Sequence, residues 1–385
     1  MKGSIVRKNK ILPIAALAIL GLTLPGCAAQ GNQEGTSGEP KVGPEITYYS
    51  GTGLPADLVD ALAGPFAEYM DEKYGVPVRV NNVVGAIPNS WAALKTEWPN
   101  PSGDAYLLYN DQVRQGIEDG WWTPLRPEYT DEEWAAFDQD ALKTLNTDGY
   151  TVPQDISAYV LAVQDSVPES AADSWRALGD SQFKNRTTFD SALAVGSGYN
   201  AIAAAAIVLG EDWNTWFEGG EFNADLAKPT FDLVAKWADN SLTLTEGSGS
   251  ITPLLARGEA QVSAWWWHNA VQEMDKGTPI RVVYPKEGVL AYVQSGPVAS
   301  AKSSNPVAAI EWVKFYQSDV AAQAALDLGY LNRMPRSTDP KDPAFEEFQK
   351  AAKFVWIDDF RDQMLDPAYN REVLDLYTKV VIQGQ

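Results

Sequence analysis

Several short stretches of this chain carry residue types that could hold a small molecule where a strand-like run gives way to a turn. Trp265-Trp266-Trp267-His268-Asn269 ends the run Gln261–Trp267. Side chains alternate along a strand, so Trp265 and Trp267 share one face and Trp266 lies on the other. An indole face attracts an organic cation or stacks on an apolar group, but at least one of the three belongs to a core. Tyr109-Asn110-Asp111 closes the buried-strand candidate Ala105–Tyr109. Asp111 offers a carboxylate to a cation, or caps the helix that follows. Tyr49 and Ser50-Gly51-Thr52-Gly53 end the first strand-like run, with Pro55 in the first turn of the next helix. Free backbone N–H groups there suit a carboxylate, phosphate or hydroxyl, and ordinary capping explains them equally. The same two readings hold for Ser197 and Tyr199 in Gly196-Ser197-Gly198-Tyr199-Asn200, and for Ser248 and Ser250 before Ile251. Tyr292 and Gln294 stand two apart on a strand and share a face. Asp155 falls in a crossover segment, where a buried acid faces a cleft or serves a hinge.

Catalytic constellations are few. His268 is the one histidine, so a zinc site or a Ser-His-acid triad has little to build on. The chain has no G-x-S-x-G elbow, Walker loop or G-x-G-x-x-G. An extracytoplasmic enzyme working through two carboxylates stays open as an alternative. No cofactor or metal is expected. Removing residues 1–26 takes four basic and no acidic residues, leaving 26 basic against 51 acidic and a net charge of −25. Such a surface repels nucleic acid and anionic lipid and favours solubility. Cys27 is the only cysteine, so no disulfide is possible.

The elements that must position these residues follow a β-α-β-α alternation, which argues for α/β lobes with mostly parallel sheets flanked by helices. Before them, Lys2, Arg7, Lys8 and Lys10 precede the apolar run Ile11–Leu24 and then Leu24-Pro25-Gly26-Cys27. A basic start and a short apolar run describe an export signal over 1–26. The tetrapeptide resembles a lipobox, which implies cleavage before Cys27 and lipidation of its thiol. Residues 27–44 have almost no large apolar side chains and read as a flexible tether.

From Glu45 the chain resembles the extracytoplasmic solute-binding proteins of ABC importers, in the branch holding spermidine/putrescine-binding and ferric-ion-binding proteins. The resemblance rests on Gly277-Thr278-Pro279-Ile280, Tyr284-Pro285-Lys286-Glu287-Gly288, Asn305-Pro306-Val307-Ala308-Ala309-Ile310 and the stretch from Gln323 to Gly329-Tyr330. It implies a two-lobed, type II periplasmic-binding-protein fold with the ligand in a cleft between lobes. The expected lobes are 45–153 plus 297–385, and 156–285, with crossovers near 152–158 and 285–296. It implies a lipid-anchored monomer that hands a small polar organic solute to a permease, the solute being an amine, polyamine-like or zwitterionic. A ferric-ion or phosphonate/anion ligand is the alternative within the fold. Tyr48 and Tyr49 point to opposite faces, so only one can reach a metal. The resemblance also implies a ligand-stacking indole at Trp266 or Trp267. Polyamine binders pair an aromatic with an aspartate where this chain has Tyr292 and Gln294, and a neutral amide cannot neutralise an ammonium.

Overall fold

The computed structural model describes residues 41–194, 196–333, 336 and 341–385, apart from the side chain of Ser248. Cys27, the expected leader 1–26 and most of the expected tether lie outside the described residues. The strands are β1 (Glu45–Ser50), β2 (Arg79–Val84), β3 (Ala105–Tyr106), β4 (Pro153–Gln164), β5 (Thr187–Asp190), β6 (Ser241–Thr245), β7 (Val262–Trp266), β8 (Ile280–Val283), β9 (Val289–Ser295), β10 (Val298–Ala299) and β11 (Phe354–Trp356). They form two sheets, one ordered β10-β3-β1-β2 and the other β11-β9-β4-β7-β5-β6 with β8 also on β4.

The first sheet is parallel except for β10. Along β1 the side chains of Ile46, Tyr48 and Ser50 turn inward at every second residue. The helix Leu54–Tyr74 starts at Gly53 and stops at Gly75, whose φ of 68° suits glycine. Its Leu62 and Phe66 meet Tyr48 and Trp312 in one core. Phe66 and Tyr48 both approach the Trp312 ring edge-on, at 5.1 and 5.4 Å. Fully burying such side chains contributes about 1.5–3 kcal/mol each.

The second sheet is mixed, not mostly parallel. β4 runs antiparallel to β7, β8 and β9, while β5/β6, β5/β7 and β9/β11 are parallel. β4 is a 12-residue central strand buried along nearly its whole length, which explains its unbroken apolar run Tyr159–Val163. The alanine-rich helix Tyr199–Leu209 and the helix Ala224–Asn240 cover this sheet.

The chain passes between the sheets next to β4 and again between β9 and β10. The two passages are bonded to each other. Gly296 N–H donates to Val152 O at 2.8 Å, and Thr151 Oγ1 donates to Gly296 O and Pro297 O. A Cβ at position 296 would lie 2.2 Å from Gln317 Nε2 and 2.9 Å from Val152 O, so only glycine fits the crossing. The backbone of Arg333 bridges to Asp155. Asp155 is 3% exposed and accepts from Tyr330 Oη, Gln154 Nε2 and Ser157 Oγ. Its polarity is met by these neighbours within the crossing.

The C-terminal part departs from the expected division. β10 joins the first sheet, and the helix Pro306–Phe315 packs in the first core. From β11 onward, however, the chain packs on the second sheet. β11 pairs with β9, and Phe360, Met364, Val373 and Tyr377 enter the second sheet's core beside Trp216 and Phe231. The reason is burial: these apolar side chains find their cover in the second sheet's core.

Candidate functional site

The last turn of β9, the start of the helix Asn110–Glu118 and the helix Asp358–Leu365 meet at one place between the sheets. Each is positioned by backbone hydrogen bonds. β11 runs parallel to β9 as far as Trp356, which pairs with Ala291, and Ile357 N–H then donates to Ala291 O. The next rung is taken by a side chain: Val293 N–H donates to Asp358 Oδ1 at 3.0 Å. From there the chain turns into a helix, which sends Asp358, Arg361 and Asp362 along one face. On the other side Asn110 clips its helix to β9. Its Nδ2 donates to Val293 O at 2.6 Å, and its Oδ1 accepts from Ser295 N–H at 2.9 Å.

Tyr109, Asn110, Asp111, Tyr292 and Gln294 therefore line one small cavity together with Asp358, Arg361 and Asp362. The cavity adjoins a larger pocket of about 590 Å³, walled by Trp91, Trp121, Arg114, Glu118, Asp119 and Asp366 among others. Asp111 and Asp362 line both. Arg114 and Asp362 form an ion pair across the gap between the two helices.

The electrostatics are uneven. Burial raises the carboxyls of Asp111 and Asp362 above the ordinary range, against the pull of Arg114. Burial, aided by the neighbouring Asp362, pushes Asp358 up to about 7, although the Val293 N–H favours its charged form. Asp358 Oδ2 is buried and has no hydrogen-bond partner among the described residues. Burial likewise raises the phenols of Tyr109 and Tyr292. Arg361 lies over the Tyr292 ring, 4.0 Å from its centre, and its Nη1 donates to Gly196 O and Asn200 Oδ1. The aromatic face expected to meet a ligand is covered by the protein's own cation.

The remaining candidates lie elsewhere or serve the scaffold. Ser50 Oγ donates to Asn82 Oδ1 at 2.7 Å and ties β1 to β2. Tyr49 stacks on Tyr106 and bonds Ser102. Gly51 is buried, Thr52 is exposed, and Gly53 O accepts from Ala56 and Asp57 N–H at the helix start. Ser197 Oγ donates to Asp190 Oδ2 at 2.5 Å, and Tyr199 is 3% exposed with Asn370 bonded to its hydroxyl. A Cβ at Gly198 would lie 2.1 Å from Ala192 N, so this turn is packed shut. Ser250 is exposed, and its N–H donates to Gly247 O; the side chain of Ser248 lies outside the described residues. Trp265 and Trp267 are buried, the latter stacked 4.7 Å from Phe348. Trp266 is half-buried and meets Tyr159 and Tyr292 edge-on.

Sequence reasoning missed Asp358, Arg361 and Asp362. The available signal was their i, i+3, i+4 spacing just after the apolar run Phe354–Ile357.

The fold is shared with solved transport proteins of low sequence identity. The spermidine/putrescine-binding protein PotD of Streptococcus pneumoniae, solved with calcium and HEPES, is 14% identical over 89% of this chain and all of its own, with a TM-score of 0.65. AfuA of Actinobacillus pleuropneumoniae, with fructose-6-phosphate bound, is 19% identical over 88% of this chain and 98% of its own, with a TM-score of 0.63. Iron-bound HitA of Pseudomonas aeruginosa is 18% identical over 87% and 99%, with a TM-score of 0.59. These likenesses establish the two-lobed type II binding-protein fold. No curated protein sequence matches the chain. A sequence profile matches residues 62–354, more than half of the length, and by that match the chain belongs to the bacterial extracellular solute-binding protein family.

Proposed function

We propose that this protein is the solute-binding component of an ABC importer, working as a monomer held to the membrane by a lipid on Cys27 after removal of residues 1–26. It carries a small polar organic solute in the cleft between its two sheets and delivers it to the importer's permease. The observation that carries this reading is the meeting of three separate segments at one place: Tyr109–Asp111, Tyr292 with Gln294, and Asp358 with Arg361. Charged and aromatic groups from both lobes converge where a solute could bridge them and hold the lobes together.

The test is a thermal-shift screen of the chain starting at residue 28, with amines, amino acids, phosphonates, sugars and ferric citrate. A true ligand at a hundred times its dissociation constant adds about 2.7 kcal/mol to stability. A melting temperature unmoved by every class would count against the reading.

A second reading is ferric iron, favoured by one observation. The phenols of Tyr109 and Tyr292 share their cavity with the carboxylates of Asp111 and Asp358, a set of hard oxygen donors. Arg361 over the Tyr292 ring opposes it, because a fixed cation repels a trivalent one. The visible absorption of a tyrosinate–iron complex on adding ferric citrate separates the two.

A further inference from the structure

Asp358 and Arg361 stand one turn apart on the same helix, and both are more than nine-tenths buried, at 8% and 9% exposure. Neither has an ion-pair partner among the described residues. The one ion pair at the site joins Arg114 to Asp362 and leaves the other two without a contact of opposite charge among the described residues. Asp358 Oδ1 takes the Val293 N–H, while Oδ2 is buried with no partner among the described residues. Arg361 donates through Nη1 to a carbonyl and an amide oxygen and covers the Tyr292 ring. Dipoles and a ring face steady a guanidinium but do not neutralise it. Asp111 is less exacting, because Arg114, one turn along the same helix, draws its carboxyl toward the charged form against burial.

Two buried charges of opposite sign, in one cavity and not paired with each other, are an incomplete arrangement. A solute with one charge would complete one of them and leave the other. Resting on the solute-binding reading above, we propose that the solute is a zwitterion, with an ammonium group against Asp358 and an anionic oxygen group, carboxylate or phosphonate, against Arg361. The planar guanidinium fork suits either oxyanion. Gln294 in the same cavity offers a neutral amide to the solute's body. The space beside these groups is about 20 Å³, room for a water molecule but not for an organic solute. Admitting the solute therefore needs the lobes to part at these groups, beside the larger pocket that shares Asp111 and Asp362 with them.

The experiment uses isothermal calorimetry on the chain from residue 28, with γ-aminobutyrate and 3-aminopropylphosphonate as zwitterions. Their one-charge counterparts are butyrate, propylphosphonate and butylamine. One or both zwitterions should bind at least about ten times more tightly than each counterpart. Binding of the first alone assigns a carboxylate, and of the second alone a phosphonate. Arg361→Gln and Asp358→Asn should each abolish the preference, while Arg361→Lys, which keeps the charge, should retain more of it than Arg361→Gln. Folding of each variant is checked by its melting transition. A counterpart that binds as tightly as the zwitterions overturns the inference. So does binding of putrescine, glucose or ferric citrate with neither zwitterion, an outcome that leaves the solute-binding reading standing. Silence in every arm overturns both.

Discussion

Replacing Asp358 by asparagine removes a buried charge and keeps an oxygen for the Val293 N–H. The wild-type carboxyl is pushed by burial from 3.8 up to about 7, with Asp362 adding to the rise. The groups that face it are Arg361 and Asp362 on its own helix, Tyr292 and Gln294 on β9, and Tyr109 and Asp111 at the start of the helix Asn110–Glu118. The folded protein thus binds this proton more tightly than the unfolded chain does. The resulting stability is fully present below about pH 4 and is lost as pH rises through about 7. At 1.36 kcal/mol per tenfold in proton affinity, the whole effect is up to about 4 kcal/mol, of which about 3 falls between about pH 5 and about pH 8. His268 acts in the opposite sense. Burial pushes its imidazole from 6.5 down to about 4, so its contribution is lost as pH falls through that range. The wild-type profile alone can therefore look flat, and the difference between the two proteins is the informative quantity. Urea unfolding of the ligand-free proteins, repeated across this pH range at constant ionic strength, gives that difference. Asp358→Asn should gain on the wild type by up to about 3 kcal/mol as pH rises from about 5 to about 8. Parallel profiles for the two proteins would refute the reasoning, because they would mean that Asp358 is ionised at no extra cost.

His268→Gln should remove the loss of stability on acidification between about pH 6.5 and about pH 4, a range set by the imidazole's lowered proton affinity; the same urea titration checks it. Trp267→Ala should cost about 3–5 kcal/mol, the range for a large aromatic deleted from a core, because its ring stacks on Phe348 and meets Phe345. Trp266→Ala, at a half-buried position, should cost less than Trp267→Ala, and thermal melts of the two variants give the order. Cys27→Ser should abolish fatty-acid labelling of the expressed protein, and equal labelling of variant and wild type would remove the anchor from the proposal.

Strand periodicity explains what was legible. Tyr292 and Gln294 reach the same cavity because every second side chain of β9 points the same way, and Tyr109–Asp111 reach it because the next helix begins a short step after β3. The three tryptophans show the limit of that rule. Alternation separates Trp266 from its neighbours, but it does not say which side is core. Only the packing of Phe345 and Phe348 from a distant segment makes Trp267 an interior residue. The serines were ambiguous for another reason. A hydroxyl in a glycine-rich turn suits a ligand or a neighbour equally, and here Ser50 and Ser197 have neighbours, Asn82 and Asp190. The helix Asp358–Leu365 was the least legible part. Its place depends on β11, three residues long and paired with β9 from 65 positions away. An acid-rich helix after so short a strand reads as solvent-facing surface, since Asp and Arg are seldom buried unless paired.

The same helix makes opening and binding a single problem in charge. It is fixed to the second sheet through β11 and through the Asp358 bond to Val293. Its tie to the first lobe is the Arg114–Asp362 pair. Asn110 also links the lobes, but it does so at Val293 and Ser295, beside the crossing at Gly296. Parting the lobes about Thr151–Gly296 can therefore leave the Asn110 clip intact while it separates Arg114 from Asp362. Each of those two partners is only partly buried, so each regains water on separation and the pair resists opening weakly. Asp358 and Arg361 gain more, because opening brings water to two charges that the closed protein leaves unpaired. Closure without solute thus meets a desolvation penalty that a zwitterion between the two residues would remove. By this argument the solute's charge pattern, more than its contact area, decides whether the lobes stay shut.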